Sequence, residues 1–201
     1  MAVCLQKLSS LHLAAGMGDV ATVMKFLKNE KTEFVGGKKV MVFHLDPTGM
    51  SALSLAAQSG HFEVVDLLLR VKVPASSQAD VNGRSKAGVT ALMLAAQNGH
   101  VNIVRTLLEH KADPQLKSEA GDTALHYATR NPDTHTRSEI FSFIQDAGGD
   151  ASLPNAQGLS ASDLLRRGAE SSGGTGAAQV TQGERATSHG GGETQEGLEG
   201  Q

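Results

Sequence analysis

The sequence predicts an all-α solenoid, made of stacked two-helix units and followed by an unstructured tail. Three observations predict it. One pattern recurs along the chain: Ser9-Ser10-Leu11-His12-Leu13-Ala14-Ala15, Ser51-Ala52-Leu53-Ser54-Leu55-Ala56-Ala57, Thr90-Ala91-Leu92-Met93-Leu94-Ala95-Ala96 and Thr123-Ala124-Leu125-His126-Tyr127-Ala128-Thr129. A fainter fifth copy is Ser160-Ala161-Ser162-Asp163-Leu164-Leu165. Within a unit the apolar residues keep a helical period. Each helix so marked is only about 8–10 residues, below the length that is stable alone in water, so every unit must bury its apolar face against the next.

The elements follow in order. In the first unit the recurring segment leads to Gly18, a turn equivalent to Gly60 and Gly99 in the second and third. The third unit is the most regular. Leu92, Ala95 and Ala96 mark its first helix, Gly99 breaks the chain, and Ile103, Val104, Leu107 and Leu108 mark the second. A hydroxyl at Ser51, Thr90, Thr123 or Ser160 stands where it caps the first helix by accepting from a free backbone N–H. The fourth unit lacks Gly-His and carries Asn131-Pro132-Asp133, so its interhelix loop is rebuilt; Ile140, Phe141 and Ile144 restore the second stripe. The fifth stops at Arg166-Arg167-Gly168 and reads as a C-terminal stub. The offsets between copies are 42, 39, 33 and 37 residues, from Ser9, Ser51, Thr90, Thr123 and Ser160.

With those residues in view, the chain resembles the ankyrin repeat family, whose period is about 33 residues and whose signature is Thr-Pro-Leu-His-x-Ala. The match is fullest from Gly88-Val89-Thr90-Ala91-Leu92 through Gln97-Asn98-Gly99-His100 to Ala112-Asp113. It departs from the signature where Pro becomes Ala52, Ala91, Ala124 and Ala161, and where His becomes Ser54 and Met93. The resemblance implies an ankyrin-repeat solenoid with β-hairpin fingers over residues 1–168. Its units are about 9–45, 46–84, 85–117 and 118–154, with a stub at 155–168.

The first linker is nine residues over the bare period, and its centre, Thr32 to Phe43, has β-prone runs flanking Gly36-Gly37. That predicts a lengthened hairpin finger, since Gly-Gly accepts both turn conformations. The second insertion, around Val71 to Gln78, holds Pro74-Ala75-Ser76-Ser77 and reads as a loop. Residues 169–201 contain nine Gly, no aromatics and a charge of −4. This Gly/Ser/Thr/Glu-rich stretch has too little apolar area to offset chain entropy, and is expected to be disordered.

Composition excludes several functions. The charge is −3 overall, and the basic residues form no long run, so nucleic acid is disfavoured. Aromatics are 3%, too few to stack bases. No apolar run reaches the roughly 18 residues of a membrane span. Cys4 is the sole cysteine, which removes any disulfide within the chain and suits an intracellular setting, cytoplasmic or nuclear. The eight histidines suggest metal, but His61 with His100, and His12 with His126, occupy equivalent positions in different units. Stacked helices lie roughly 8–10 Å apart, too far to share one zinc. Gly16-Met17-Gly18 lacks the third glycine of a nucleotide loop. Nothing forms a catalytic constellation, so no catalytic residue, cofactor or metal ligand is expected.

The expected function is a non-enzymatic scaffold that binds a protein or peptide and is a monomer by itself. The alternative is a regulatory or targeting subunit whose activity lies in a partner. The resemblance places contacts at finger tips and just before the interhelix turn: Met50 and Gln58, then Lys86, Val89, Gln97 and Asn98, then Asp122 and Arg130. Apolar Met50 and Val89, joined by Met93, read as a greasy strip. Phe34, Met41 and Phe43 on the long finger are the second candidate.

Overall fold

The computed structural model describes residues 11–28, 45–70 and 81–172. The long finger with Phe34, Met41 and Phe43, most of the second insertion, Cys4, and the chain beyond 172 lie outside the described residues.

The units form helix pairs. The first pair is a helical stretch over residues 11–17 (α1) and α2, Val20–Lys28. The second is α3, Ala52–Ser59, and α4, Phe62–Arg70. The third is α5, Ala91–Asn98, and α6, Val101–Glu109. The fourth is α7, Ala124–Ala128, and α8, Thr134–Asp146. The last helix is α9, Ala161–Ser172. One core runs through all of them, from Leu11 and Val23 through Leu68, Leu92 and Leu107 to Ile144 and Ala161.

Hydroxyl caps are present at Ser51, Thr90 and Ser160, and those at Thr90 and Ser160 are reciprocal. Ser51 accepts from the Ser54 N–H and Ser160 from the Asp163 N–H, both at 3.1 Å. Thr90 accepts from the Met93 N–H at 3.4 Å, while the Thr90 N–H points at the Met93 sulfur. The Ser160 N–H donates to the Asp163 carboxylate, and the Thr123 N–H to Nδ1 of His126 at 3.1 Å. The variable signature position (Ser54, Met93, His126, Asp163) is therefore the third residue of each first helix, the position that closes a capping box.

The interhelix turns explain the Gly-His pairs. His61 Nε2 donates to the Gly16 carbonyl at 3.0 Å, and His100 Nε2 to the Gln58 carbonyl at 3.1 Å. Each imidazole thus ties its unit to the one before, and it lies against that unit's glycine. A Cβ on Gly60, at φ +83°, would sit 2.6 Å from the His100 ring. Positive φ and the missing side chain are needed together.

Two elements differ from expectation. The fourth unit pairs a five-residue helix with a thirteen-residue one. Pro132 has no N–H to extend α7, and Asp133 caps α8 through the His135 and Thr136 N–H groups. The last helix continues past Gly168 to Ser172 instead of stopping there. Among the described residues no helix follows α9, and Gly168 lies within it.

Candidate interaction surface

In the middle of the stack α5 packs more extensively on α3 and α7 than α6 does on α4 and α8, which makes the first-helix side the tighter, inner side. The first helices are buried almost all round. What stays open is one stripe at i, i+3 and i+4: Leu13, Gly16 and Met17, then Leu55, Gln58 and Ser59, then Gln97 and Asn98, then Arg130, and on α9 Leu164, Arg167 and Gly168. Leu94 and Tyr127 continue the column at 8% exposure.

The fingers border this stripe. Each spans five residues, closed where the N–H of the first donates to the carbonyl of the fifth: Asp46 to Met50, Ser85 to Val89, Ser118 to Asp122 and Asn155 to Leu159. Neighbouring tips are joined by main-chain bonds, from Lys86 N–H to Thr48 O, Glu119 N–H to Ala87 O, and Ala156 N–H to Ala120 O. A single antiparallel bridge, Pro154 with Ser160, is the only strand-like pairing among the described residues.

Sequence reasoning missed the residue that organises each finger. Asp46 Oδ1 accepts from the Thr48 and Met50 N–H groups, and Ser85, Ser118 and Asn155 accept from the fifth N–H of their own fingers. The available signal was a short polar side chain three residues before every finger glycine. Burial pushes the Asp46 carboxyl up, but the Thr48 hydroxyl, the Met50 and Thr48 N–H groups and nearby His12 outweigh it and hold the group below the usual carboxylate range.

The expected contact residues separate into three groups. Gln58, Lys86 and Asn98 are exposed; Met50, Val89 and Gln97 are half-buried, and Val89 packs against the core. Met93 and Asp122 are corrections, at 1% and 3% exposure. Met93 is turned into the core by its role in the α5 cap. Asp122 pairs with Arg130 at 2.5 Å and accepts from Asn155 at 2.8 Å, which locks the fourth finger to the fifth. Arg130 is half-exposed, its guanidinium 4.5 Å from the Tyr127 ring centroid. The greasy strip read through Met50, Val89 and Met93 is thus interrupted, and the apolar residues that do face outward are Leu13 and Met17, at 64% and 69% exposure.

His126 bridges two units. Leu159 offers a carbonyl, which only accepts, so Nε2 carries the proton and Nδ1 receives the Thr123 N–H. His110 bonds the Thr106 carbonyl of its own helix, and His135 is exposed. Among the described residues every buried side-chain N or O has a hydrogen-bond partner, and no helix is long and apolar enough to cross a membrane.

A family model of ankyrin repeats in three copies matches residues 3–77 and 71–155. No curated protein matches the chain.

Proposed function

From the premise that this chain belongs to the ankyrin repeat family, we propose that it is a non-enzymatic scaffold, binding a protein or peptide through the inner face and the finger tips. Repeats of this family are protein interaction modules, and solenoids offer extended concave surfaces for the purpose. The carrying observation is the division of labour among polar groups. The caps, the Asp46 and Asp122 carboxylates and the His61, His100 and His126 imidazoles are consumed in holding the stack, whereas the stripe on the first helices keeps Gln58 and Asn98 exposed and Gln97 half-exposed. Asn98 is tethered to the Leu94 carbonyl, so its amide is held in place for a partner. A lone cysteine suits a reducing interior, cytoplasmic or nuclear.

Affinity capture from the native cell tests this reading with two double variants. Gln58→Glu with Gln97→Glu, on the inner face, is expected to remove the captured partners. Asn102→Glu with Glu109→Lys, on the exposed side of α6, is expected to retain them. The reverse result would place the interface on the outer helices.

A further inference from the structure

The sequence holds two Asn-Gly pairs, Asn82-Gly83 and Asn98-Gly99. Asparagine is thermolabile, and a following glycine has no Cβ to shield its main-chain nitrogen from the side-chain carbonyl before it. Exposure alone would select Asn98, which is exposed, over Asn82, which is half-buried. The structure reverses that order. Asn98 is the last residue of α5, and the Gly99 N–H donates to the Ala95 and Ala96 carbonyls. The Asn98 Nδ2 donates to the Leu94 carbonyl at 2.8 Å. Gly99 is held at φ +79°, and a Cβ there would lie 2.5 Å from Asn131 Nδ2, so the neighbouring unit boxes it in. Nucleophile, leaving group and main chain are all held at Asn98. Asn82 stands in a turn outside any helix, and its Oδ1 accepts from the Asp113 N–H at 2.8 Å. That donor points at the oxygen that gains negative charge when Cγ is attacked.

We propose that the folded chain deamidates at Asn82 and spares Asn98, which makes the Asn82–Asp113 tie the place where the stack ages. The Gly83 nitrogen bonds to Asn82 Cγ, the Cγ–Nδ2 bond breaks, and Nδ2 leaves as ammonia with the proton from Gly83. One water then opens the cyclic imide. Attack at Cγ leaves aspartate; attack at the Asn82 main-chain carbonyl carbon leaves isoaspartate, whose chain runs through Cγ. Aspartate keeps an oxygen for the Asp113 N–H. Isoaspartate lengthens the main chain by a methylene and moves the free carboxylate onto Cα. The acceptor for Asp113 is then lost, and a new negative charge stands beside that residue. The tie joins the segments that lead into two successive fingers, at Ser85 and Ser118, so its loss loosens the stack between them.

The test is ageing of the full chain in warm, mildly alkaline buffer, once folded and once in denaturing urea. Peptide mapping by mass spectrometry and labelling with an isoaspartyl methyltransferase read the products. In urea both asparagines are expected to convert at similar rates, because each is followed by glycine and no fold distinguishes them. In the folded chain the peptide holding Asn82 is expected to gain one mass unit at least about tenfold faster than the peptide holding Asn98, since only Asn82 has a donor aimed at the developing oxyanion. Fully aged protein is expected to melt about 2–4 °C lower, the scale of one lost hydrogen bond in a domain of this size. Asn82→Gln protein, whose longer side chain closes the ring far more slowly, is expected to keep its own starting melting temperature through the same treatment. Equal rates at the two sites of the folded chain, faster conversion at Asn98, or no conversion at Asn82 would overturn the assignment. A melting temperature unchanged after isoaspartate has formed at Asn82 would overturn the claim that ageing releases the tie to Asp113.

Discussion

The third and fourth units are neighbours that meet one packing requirement with different residues. In the third, α5 and α6 are eight and nine residues joined through Gly99 and His100, and α6 has no side-chain cap. In the fourth, helices of five and thirteen residues are joined through Asn131-Pro132-Asp133, with a carboxylate cap. Asn131 stands against Gly99, as His100 stands against Gly60. The buried stripes are nevertheless equivalent: Ile103, Val104 and Leu107 in one, Ile140, Phe141 and Ile144 in the other. Turn chemistry is exchangeable, therefore, and the apolar stripe is not. A repeat is held by its neighbours over a whole face, and its turn has only to return the chain.

The largest expected effect tests that equivalence. Leu92→Ala and Leu125→Ala remove fully buried side chains at the same repeat position, and each is expected to cost about 2–5 kcal/mol in urea denaturation. A cost near zero at Leu125 alone would show that the fourth unit is held by something other than its stripe.

Next comes the pair that distinguishes the fourth finger. Arg130→Gln leaves the buried Asp122 carboxylate with Asn155 as its side-chain donor and is expected to cost about 1–3 kcal/mol, toward the low end because Arg130 is half in water. Asp122→Val, which copies Val89 of the third unit, removes the charge together with its need for a partner and is expected to cost less. If thermal melts rank the two variants the other way, Asp122 is held by more than this pairing.

Helix ends differ as well. Lys111 sits at φ 67° after α6, where Gly148 follows α8 at φ 96°. A side chain in that region costs about 1–2 kcal/mol, and glycine gives back roughly 0.5–1 through chain entropy. Lys111→Gly is expected to raise stability by up to about 1 kcal/mol on this balance, with Gly148→Lys lowering it. A melting temperature that falls with Lys111→Gly would mean that the lysine side chain makes a compensating contact.

The smallest effect is acid sensitivity. The Thr136 hydroxyl, with the His135 and Thr136 N–H groups, holds the Asp133 carboxyl below its usual range. Because the folded value is depressed, the cap contributes fully above the unfolded value of about 3.9 and is lost as pH falls through the folded one. The first turn of α8 is expected to lose hydrogen-exchange protection in acid before the uncapped start of α6 changes. Simultaneous loss would show global unfolding rather than release of the cap.

Much of this was legible in the sequence because short-range rules carried it. Ser51, Thr90 and Ser160 cap as their positions imply, Gly60 and Gly99 turn the chain, and Pro132 marks the break in the fourth unit. The inner face was half legible. Gln58, Gln97 and Asn98 lie on it, but the exposed apolar pair Leu13 and Met17 was overlooked, because Leu13 looks like Leu94 in sequence and differs only in what covers it. Met93 and Asp122 were misplaced for a related reason. Whether a side chain after a turn or in a first helix points outward depends on a partner 3 to 33 residues away, Thr90 for one and Asn155 for the other.

Local periodicity and chemistry thus determined the helices, their caps and the repeat, because each depends on residues within a turn or two along the chain. Burial, exposure and pairing across units were decided by stacking. Leu13 is left in water while Leu94, at the same repeat position, is covered, because exposure belongs to an assembled surface and each unit's surface is completed by its neighbours.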